Sequence, residues 1–561
     1  MTDPSAPDNK AKIIEEPLSP AKESRYALAA ILAASAFAYF FGLGQLGFLG
    51  PDEPRYAEVA REMFVGGDYI STHLCGCLWF EKPVLLYWMS AISYRFFGVN
   101  ELAARLPSAV AAIATVALVF YALRRLSLPR IAVSSALVLA TSGIFIAYAR
   151  VANPDMLLTA GITAAVLAGF FATKTSGRTR LIWTVLAFFF MGLGMLAKGL
   201  VGVVLVIAIL GIYLALTRQF DLIRWRDCLL GFVVFIAAAG TWYIPVTMRH
   251  GWAFIEEFFI RHHFQRFTTN EFGHPQPVYF FLIVAIAGAA PWTFFLIPAA
   301  ARLWSLRPRI DQRDSLLALA WVWVAVPLIF FSLSESKLPG YILPIAPALA
   351  VIVGAEVERL WNGDRARTLT IAKWATALAL PGMCAGFMVY LHRESVSLSG
   401  WRMLLEFLPL AVALVSVVAL AMKKRLAFIT GVAGVVLTLI LASVVLVFPV
   451  LRDEVTLKTL SLEAAAALRP GEKIGFYLKK EFAPVFYAEG RVLCEPRRGG
   501  TFYALHQDML ADALQTEPSL IIITDARWLP GLEGDPRFAI QPIASDGDAL
   551  ALRVELKRQP D

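Results

Sequence analysis

The sequence predicts a polytopic membrane protein with an all-α membrane domain, followed by a small α/β domain. Of its 561 residues, 58% are hydrophobic and 17% are charged, and the mean hydropathy is +0.63. Those values are too apolar for a soluble chain of this length. Long apolar runs alternate with short basic loops as far as residue 450, whereas 451–561 has the mixed pattern of short strands and helices.

Thirteen apolar segments are candidates to cross a bilayer, for which about 20 apolar residues are needed. They are 27–47, 103–124, 131–149, 156–173, 181–197, 199–216, 228–246, 278–301, 315–333, 340–360, 371–391, 403–422 and 426–449. A further segment, 84–98, is short and carries Arg95. We expect it to lie in the membrane interface or to re-enter, not to cross.

Six loops rich in Arg and Lys fix the orientation, because positive loops stay on the cytoplasmic side. They are 124–130, 174–180, 218–226, 302–313, 359–373 and 423–425. If 84–98 does not cross, all six share one side with the polar tail 1–25. The membrane domain, 26–450, then has two large outer loops, 47–102 and 247–277, and the domain 451–561 is also outside. These loops hold most of the excess behind the formal charge of +8, so no nucleic-acid partner is needed.

The C-terminal segment is predicted to contain strands at 473–478, 520–524 and 549–556 and helices at 460–468 and 503–513. No Gly-rich phosphate loop occurs, so a cytosolic nucleotide site is unsupported. The five cysteines do not form a zinc framework. We interpret Cys75 and Cys77 as small packing residues.

The residues that look chemical fall in the outer loops. Pro54, with Asp52 and Glu53 before it, suits the first turn of an interfacial amphipathic helix. The two acids either cap this helix or act in chemistry. The motif F-E-K-P then places Glu81 and Lys82 where the chain re-enters the apolar layer. Charges at this depth are costly unless they are paired or used, so Lys82 either snorkels to headgroups or binds a lipid phosphate.

Two motifs, D-E-x-R-Y-A-E at 52–58 and F-E-K-P at 80–83, resemble bacterial transferases that move aminoarabinose from a polyprenyl phosphate to lipid A. This family is grouped with the protein O-mannosyltransferases in the GT-C class. Further matches are A-K-G at 197–199, H-F-Q-R-F at 263–267, P-W at 291–292 and K-L-P-G-Y-I-L-P at 337–344. The resemblance covers roughly 27–350 and is weak over 370–561.

The resemblance implies a GT-C fold and an inverting glycosyltransferase of the bacterial inner membrane. It implies a donor of undecaprenyl phosphate carrying a sugar, 4-amino-4-deoxy-L-arabinose in that family, and lipid A or another envelope molecule as acceptor. The site, the C-terminal domain and the interfacial helices of loop 47–102 would face the periplasm, in contact with membrane lipids.

The chemistry of the outer-loop residues, together with this resemblance, gives the candidate site. Asp52, Glu53 and Asp155 are the expected catalytic carboxylates, although a capping role is the alternative for Asp155. The expected donor-phosphate ligands are Arg55, Lys82, Lys198, Arg266, Lys337 and Tyr341, with interfacial anchoring as the alternative for Lys337 and Tyr341. Glu81 and His263 either hold a divalent metal (Zn, Mg or Mn) or His263 forms an ordinary hydrogen bond.

Other functions remain open from the sequence. A polyprenyl-phosphate-sugar transferase of the mannosyltransferase type, acting on a protein or another envelope glycan, fits the same motifs. A lipid transporter is a more distant alternative, because it predicts related halves and charges spread through the depth of the bundle. Here the charges gather at one face.

Overall fold

A bundle of apolar helices with a small α/β domain at one end makes up the described part of the chain. The computed structural model describes residues 20–220, 223–265, 275–307, 311–394, 396, 400–479, 481–495 and 501–557.

The α-helices are α1 Pro20–Phe40, α2 Asp52–Gly66, α3 Leu85–Phe97, α4 Glu101–Arg125, α5 Pro129–Thr141, α6 Gly143–Ala149, α7 Pro154–Thr173, α8 Gly177–Lys198, α9 Val201–Thr217, α10 Trp225–His250, α11 Trp252–Ile255, α12 Phe280–Gly288, α13 Leu296–Arg302, α14 Gln312–Ser332, α15 Ala346–Asn362, α16 Arg367–Arg393, α17 Trp401–Ala421, α18 Arg425–Ala442, α19 Phe448–Val455, α20 Lys458–Ala466, α21 Ala483–Tyr487, α22 Gln507–Thr516 and α23 Leu529–Glu533. The strands are β1 His73–Leu74, β2 Cys77–Leu78, β3 Lys473–Tyr477, β4 Tyr503–Ala504, β5 Leu520–Asp525, β6 Phe538–Asp546 and β7 Ala549–Leu556. Short 3₁₀ or π turns cover Glu256–Gln265, Thr293–Phe295, Leu303–Ser305, Pro339–Ile345, Ser443–Val447 and Ala526–Trp528.

All thirteen predicted membrane segments are helical. In the described part of the chain, nine helices are long and apolar enough to cross a bilayer, and two bent pairs bring the number to eleven. Two shorter apolar helices, Arg25–Phe40 and Val201–Thr217, match the remaining two segments. Segment 84–98 forms the 13-residue helix α3. At 1.5 Å per residue it spans about 20 Å, less than the bilayer core of about 30 Å.

Two of the predicted spans are broken. Pro129–Thr141 and Gly143–Ala149 meet at 62°, and Phe280–Gly288 and Thr293–Ser305 meet at 112°. The breaks lie against each other, because the Gly143 amide donates to the Ala290 carbonyl at 3.0 Å. The bend redirects α6, and its Tyr148 consequently lines the cavity described below.

The C-terminal domain contains a five-stranded sheet in the order β4-β3-β5-β7-β6, in which β3 runs parallel to β4 and β5. The antiparallel pairs β5–β7 and β6–β7 complete it. The strands predicted at 473–478, 520–524 and 549–556 are confirmed within a residue or two. The helix predicted at 503–513 begins only at Gln507, because Tyr503–Ala504 pairs with β3, and strand β6 was not predicted.

The interpretation of Cys77 as a packing residue is wrong. Cys77 forms a disulfide with Cys494, which joins the first outer loop to the C-terminal domain across 417 residues of sequence. Cys75, two residues away, is a free cysteine. Sequence alone did not indicate this pairing, because it depends on how the two domains dock.

The docking also uses buried polar contacts. The Tyr487 hydroxyl donates to Glu101 at 2.8 Å and accepts from the Phe48 amide at 3.1 Å. Lys458 pairs with the same Glu101 carboxylate, and the Phe486 ring packs edge-on against Phe48 with centroids 4.8 Å apart. The C-terminal domain is thus fixed on the end of the first span and the start of α4.

Glu53 is the centre of a second buried network. Its carboxylate pairs with Arg105 through two hydrogen bonds of 2.8 and 2.9 Å and also accepts from the amides of Leu49 and Ala152. The remaining Arg105 donors bind the carbonyls of residues 43, 46 and 47 at 2.8–2.9 Å. These bonds tie the end of the first span, α2, α4 and the loop before α7 together.

We expect Glu53→Gln to destabilise the protein strongly, by about 3–5 kcal/mol, because it leaves the Arg105 charge buried without a counterion. The measurement is the thermal unfolding midpoint in detergent. Glu555→Gln is the matched control, since its pair with Arg469 is largely exposed and worth about 0–1 kcal/mol. Equal midpoints for the two variants would contradict this assignment.

We also expect Cys77 and Cys494 to resist thiol labelling in the denatured protein until a reductant is added, whereas Cys75 labels without it. Peptide mass spectrometry after maleimide treatment measures both. Labelling of Cys77 without reductant would show that the disulfide is absent.

Candidate active site

A cavity of about 490 Å³ brings most of the predicted site residues together. The predicted residues that line it come from α2, the F-E-K-P segment, the start of α7, the end of α8 and the segment before α15. The lining side chains predicted from the sequence are Asp52, Glu81, Lys82, Asp155, Lys198 and Tyr341. The remaining wall is largely apolar and includes Leu200, Val201, Val204, Phe330 and Phe331.

Asp52 is held by Arg55. The Arg55 guanidinium donates to the Asp52 carboxylate at 2.5 Å, to Glu81 at 3.4 Å and to the Pro51 carbonyl at 2.9 Å. Burial opposes the charge of Arg55, but Glu81 and Asp52 outweigh it and raise the pKa of the guanidinium, which stays cationic. Asp52 is the first residue of α2, and its side chain lines the cavity.

Glu81 and Lys82 form an adjacent ion pair of 3.2 Å, and both line the cavity. The Glu81 carboxylate therefore accepts from two cations, Lys82 and Arg55. Tyr56 lies beside this group, and its burial together with the charges of Asp52 and Glu81 raises the pKa of the phenol well above its usual value. Tyr56 is consequently a neutral hydroxyl that can donate into the cavity.

Asp155 and Lys198 form the second ion pair of the cavity. The cap of α7 is Asn153, whose side chain accepts from the Asp155 amide at 2.8 Å, so the Asp155 carboxylate is not used for capping. The Lys198 ammonium also lies 4.7 Å from the centroid of the Tyr341 ring. Gly340 allows this close packing, because a Cβ there would lie 2.5 Å from an Asp155 oxygen.

Three predicted residues lie beside the cavity instead of lining it. Glu53 is the buried partner of Arg105, which gives it a structural role in holding α2. Lys337 is buried and donates to the Ser334 carbonyl at 2.5 Å. Arg55 donates to Asp52 but does not itself line the cavity. None of the three presents its charge to the cavity lining, unlike their neighbours Asp52 and Tyr341.

Other lining residues were not predicted as site residues, namely Tyr56, Tyr148, Asn153, His262 and Ser334. Tyr56 belongs to the D-E-x-R-Y-A-E motif, and no local signal marks the others. His262 contacts Glu257 at 3.1 Å from within the second outer loop. It lies next to the predicted ligand His263.

Arg266 and the side chain of His263 lie outside the described residues, so their predicted roles stay predictions. The predicted metal site of Glu81 and His263 also stays a prediction. Glu81 already accepts from two cations, and no group of three or more His, Cys, Asp or Glu that could hold a metal occurs among the residues that are described. This donor set fits pairing with cations better than a divalent ion, and we derive no step through a metal.

The chain is similar to known sugar transferases over much of its length. The family model for dolichyl-phosphate-mannose-protein mannosyltransferase matches residues 81–244. The undecaprenyl phosphate-alpha-4-amino-4-deoxy-L-arabinose arabinosyl transferase of Pseudomonas aeruginosa strain UCBPP-PA14 is 33% identical over 344 residues, covering 60% of each protein. A transferase of the same name from Pseudomonas fluorescens strain Pf0-1 is 31% identical over 67% of this chain and 66% of its own. The matches thus span about 60–66% of the length of these relatives.

The architecture matches a solved structure over nearly its whole length. ArnT from Cupriavidus metallidurans, bound to undecaprenyl phosphate, superposes with a TM-score of 0.75 at 23% identity, covering 94% of this chain and 97% of that one. The chain therefore has the GT-C membrane fold of ArnT with a small C-terminal sheet domain, and the predicted resemblance to the aminoarabinose transferases, relatives of the protein O-mannosyltransferases, is confirmed.

Proposed function

We propose that this protein is an inverting glycosyltransferase that moves 4-amino-4-deoxy-L-arabinose from undecaprenyl phosphate to lipid A. The observation that carries the proposal is the composition of the cavity, in which paired carboxylates and lysines adjoin an apolar wall within an ArnT-like fold. A lipid-linked sugar needs both surfaces, one for the phosphosugar and one for the polyprenyl chain. The similarity to named transferases supports the choice of donor and sugar.

The donor phosphate would bind between Lys82 and Lys198. Lysine serves phosphate as a point charge, and neutralising the departing phosphate favours the transition state of glycosyl transfer. Tyr341, next to Lys198, would add a hydroxyl donor. The polyprenyl chain would lie along the apolar wall that contains Val204 and Phe331.

Asp52 would act on the acceptor. If the acceptor is a hydroxyl, Asp52 removes its proton as the oxygen attacks the anomeric carbon from the side opposite the phosphate. If the acceptor is a lipid A phosphate, that oxygen is already ionised, and Asp52 orients the sugar instead. In both cases the carboxylate must hold one position, which Arg55 provides.

We also propose that the cavity and the C-terminal domain face the periplasm, with the protein in the inner membrane. The six basic loops support this orientation because they then all lie in the cytoplasm. The Cys77–Cys494 disulfide supports it independently, since disulfides persist in the periplasm and are rare in the cytosol.

We expect Asp52→Asn and Lys82→Ala each to reduce sugar transfer by about 100-fold or more while the protein still folds and inserts. The measurement is mass spectrometry of lipid A from cells with and without each variant. Asp68→Asn is the matched control: Asp68 lies in the same outer loop, pairs with Arg249 and does not line this cavity.

Two outcomes would contradict the proposed function. Lipid A from cells with the unaltered protein would lack the mass of an added sugar, or the Asp52 variant would match the Asp68 control. A sugar found on another envelope molecule would keep the enzyme class and change the acceptor.

Orientation has its own test. We expect a cysteine introduced at Ser545, an exposed position in β6, to react with a membrane-impermeant maleimide in spheroplasts. A cysteine at Ser176, which is exposed in the second basic loop, should react only after lysis. The reverse pattern would place the cavity in the cytoplasm.

A further inference from the structure

The Arg55 guanidinium lies against two aromatic rings that come from different domains. Its central carbon is 5.5 Å from the centroid of Trp79, in the first outer loop, and 4.7 Å from that of Phe482, in the C-terminal domain. Both distances are within the range in which the face of an aromatic ring attracts a cation. Phe482 is buried, so this contact is largely shielded from solvent.

The two rings restrict the guanidinium that holds the cavity carboxylates. Arg55 donates to Asp52 and Glu81, and the same guanidinium lies within cation–π distance of the Trp79 and Phe482 rings. Contact with the two rings limits the movement of the guanidinium, and the direction of its N–H donors sets the position of Asp52.

Phe482 is itself fixed relative to the loop. The disulfide attaches Cys77, two residues before Trp79, to Cys494 in the domain that carries Phe482. On the other side, Tyr487, five residues after Phe482, is bonded to Glu101 at the start of α4. The stacking is thus held by a covalent link and a buried hydrogen bond, and does not rely on a flexible domain contact.

We infer that the C-terminal domain completes the active site, with Phe482 as a positioning residue that holds the Asp52 carboxylate in place through Arg55. This inference rests on the proposed function, because it assigns Phe482 to the transfer step. The C-terminal domain would then help to position the Asp52 carboxylate, in addition to packing against the membrane domain.

The test compares purified Phe482→Leu and Phe482→Tyr, with Phe486→Leu as the matched control. Leucine keeps an apolar side chain of similar reach but lacks an aromatic face, and tyrosine keeps the face. Phe486 is buried in the same segment and packs on Phe48, and it makes no stacking contact with Arg55. We expect Phe482→Leu to lower kcat about tenfold, because small misplacement of a reacting group is costly, with KM for the lipid-linked sugar changed less than about twofold. Phe482→Tyr and Phe486→Leu should keep kcat within about threefold of the unaltered protein.

A second measurement does not depend on activity. Hydrogen exchange of the peptide covering 49–58 should be faster in Phe482→Leu than in Phe482→Tyr, and unchanged in Phe486→Leu. Adding Arg55→Gln to each should remove the difference between leucine and tyrosine, because the stacked cation is then gone.

The outcomes are separable. Equal exchange in the leucine and tyrosine variants, or an equal loss of kcat in Phe482→Leu and Phe486→Leu, would overturn the positioning role. If the unaltered protein transfers no sugar, the proposed function fails, while the exchange data still decide whether Phe482 orders the Asp52 segment.

Discussion

A buried ion pair between Glu53 and Arg105 fixes the geometry from which the candidate site is built. Moving two charges out of water is expensive and is compensated only when every donor and acceptor is satisfied. Here all five N–H groups of Arg105 are accepted, by the Glu53 carboxylate and three backbone carbonyls, and two amides add to the carboxylate. The first turn of α2 therefore has one position relative to α4 and to the start of α7, which carry or adjoin the other walls of the cavity.

Two adjacent acids consequently have different tasks. Successive residues of an α-helix point about 100° apart, since 3.6 residues make one turn. With Glu53 directed into the Arg105 network, Asp52 is directed toward Arg55 and the cavity. In the sequence, nothing distinguishes the two carboxylates of the motif D-E-x-R. In the structure, Glu53 stabilises the loop and Asp52 faces the space that a substrate would occupy.

The success and failure of the sequence-based predictions follow this division between local and tertiary information. Apolar length and loop charge are local, so the membrane segments and the C-terminal strands at 473–478, 520–524 and 549–556 were predictable. Lys337 and Tyr341 show the limit of this local information. They are four residues apart, but only Tyr341 lines the cavity, whereas Lys337 lies before the 3₁₀ turn and donates to the Ser334 carbonyl. The Cys77–Cys494 disulfide, the Arg105 partner of Glu53 and the bends at Ser142 and near Ala290 depend on packing between distant segments. No spacing in the chain encodes them.

The charges of the cavity also bear on how a phosphate would be held. Among the described residues, the lining carboxylates Asp52, Glu81 and Asp155 are paired with two lining lysines, Lys82 and Lys198, and with Arg55 beside the cavity. An entering phosphate must therefore compete with Glu81 for Lys82 and with Asp155 for Lys198. If the proposed donor binds here, this competition would weaken the binding of its phosphate before reaction, and the lysines would pair fully with the phosphate only as its negative charge grows during bond breaking. Interactions that strengthen toward the transition state in this way raise kcat, whereas an unpaired lysine would bind the donor equally well before and during the reaction.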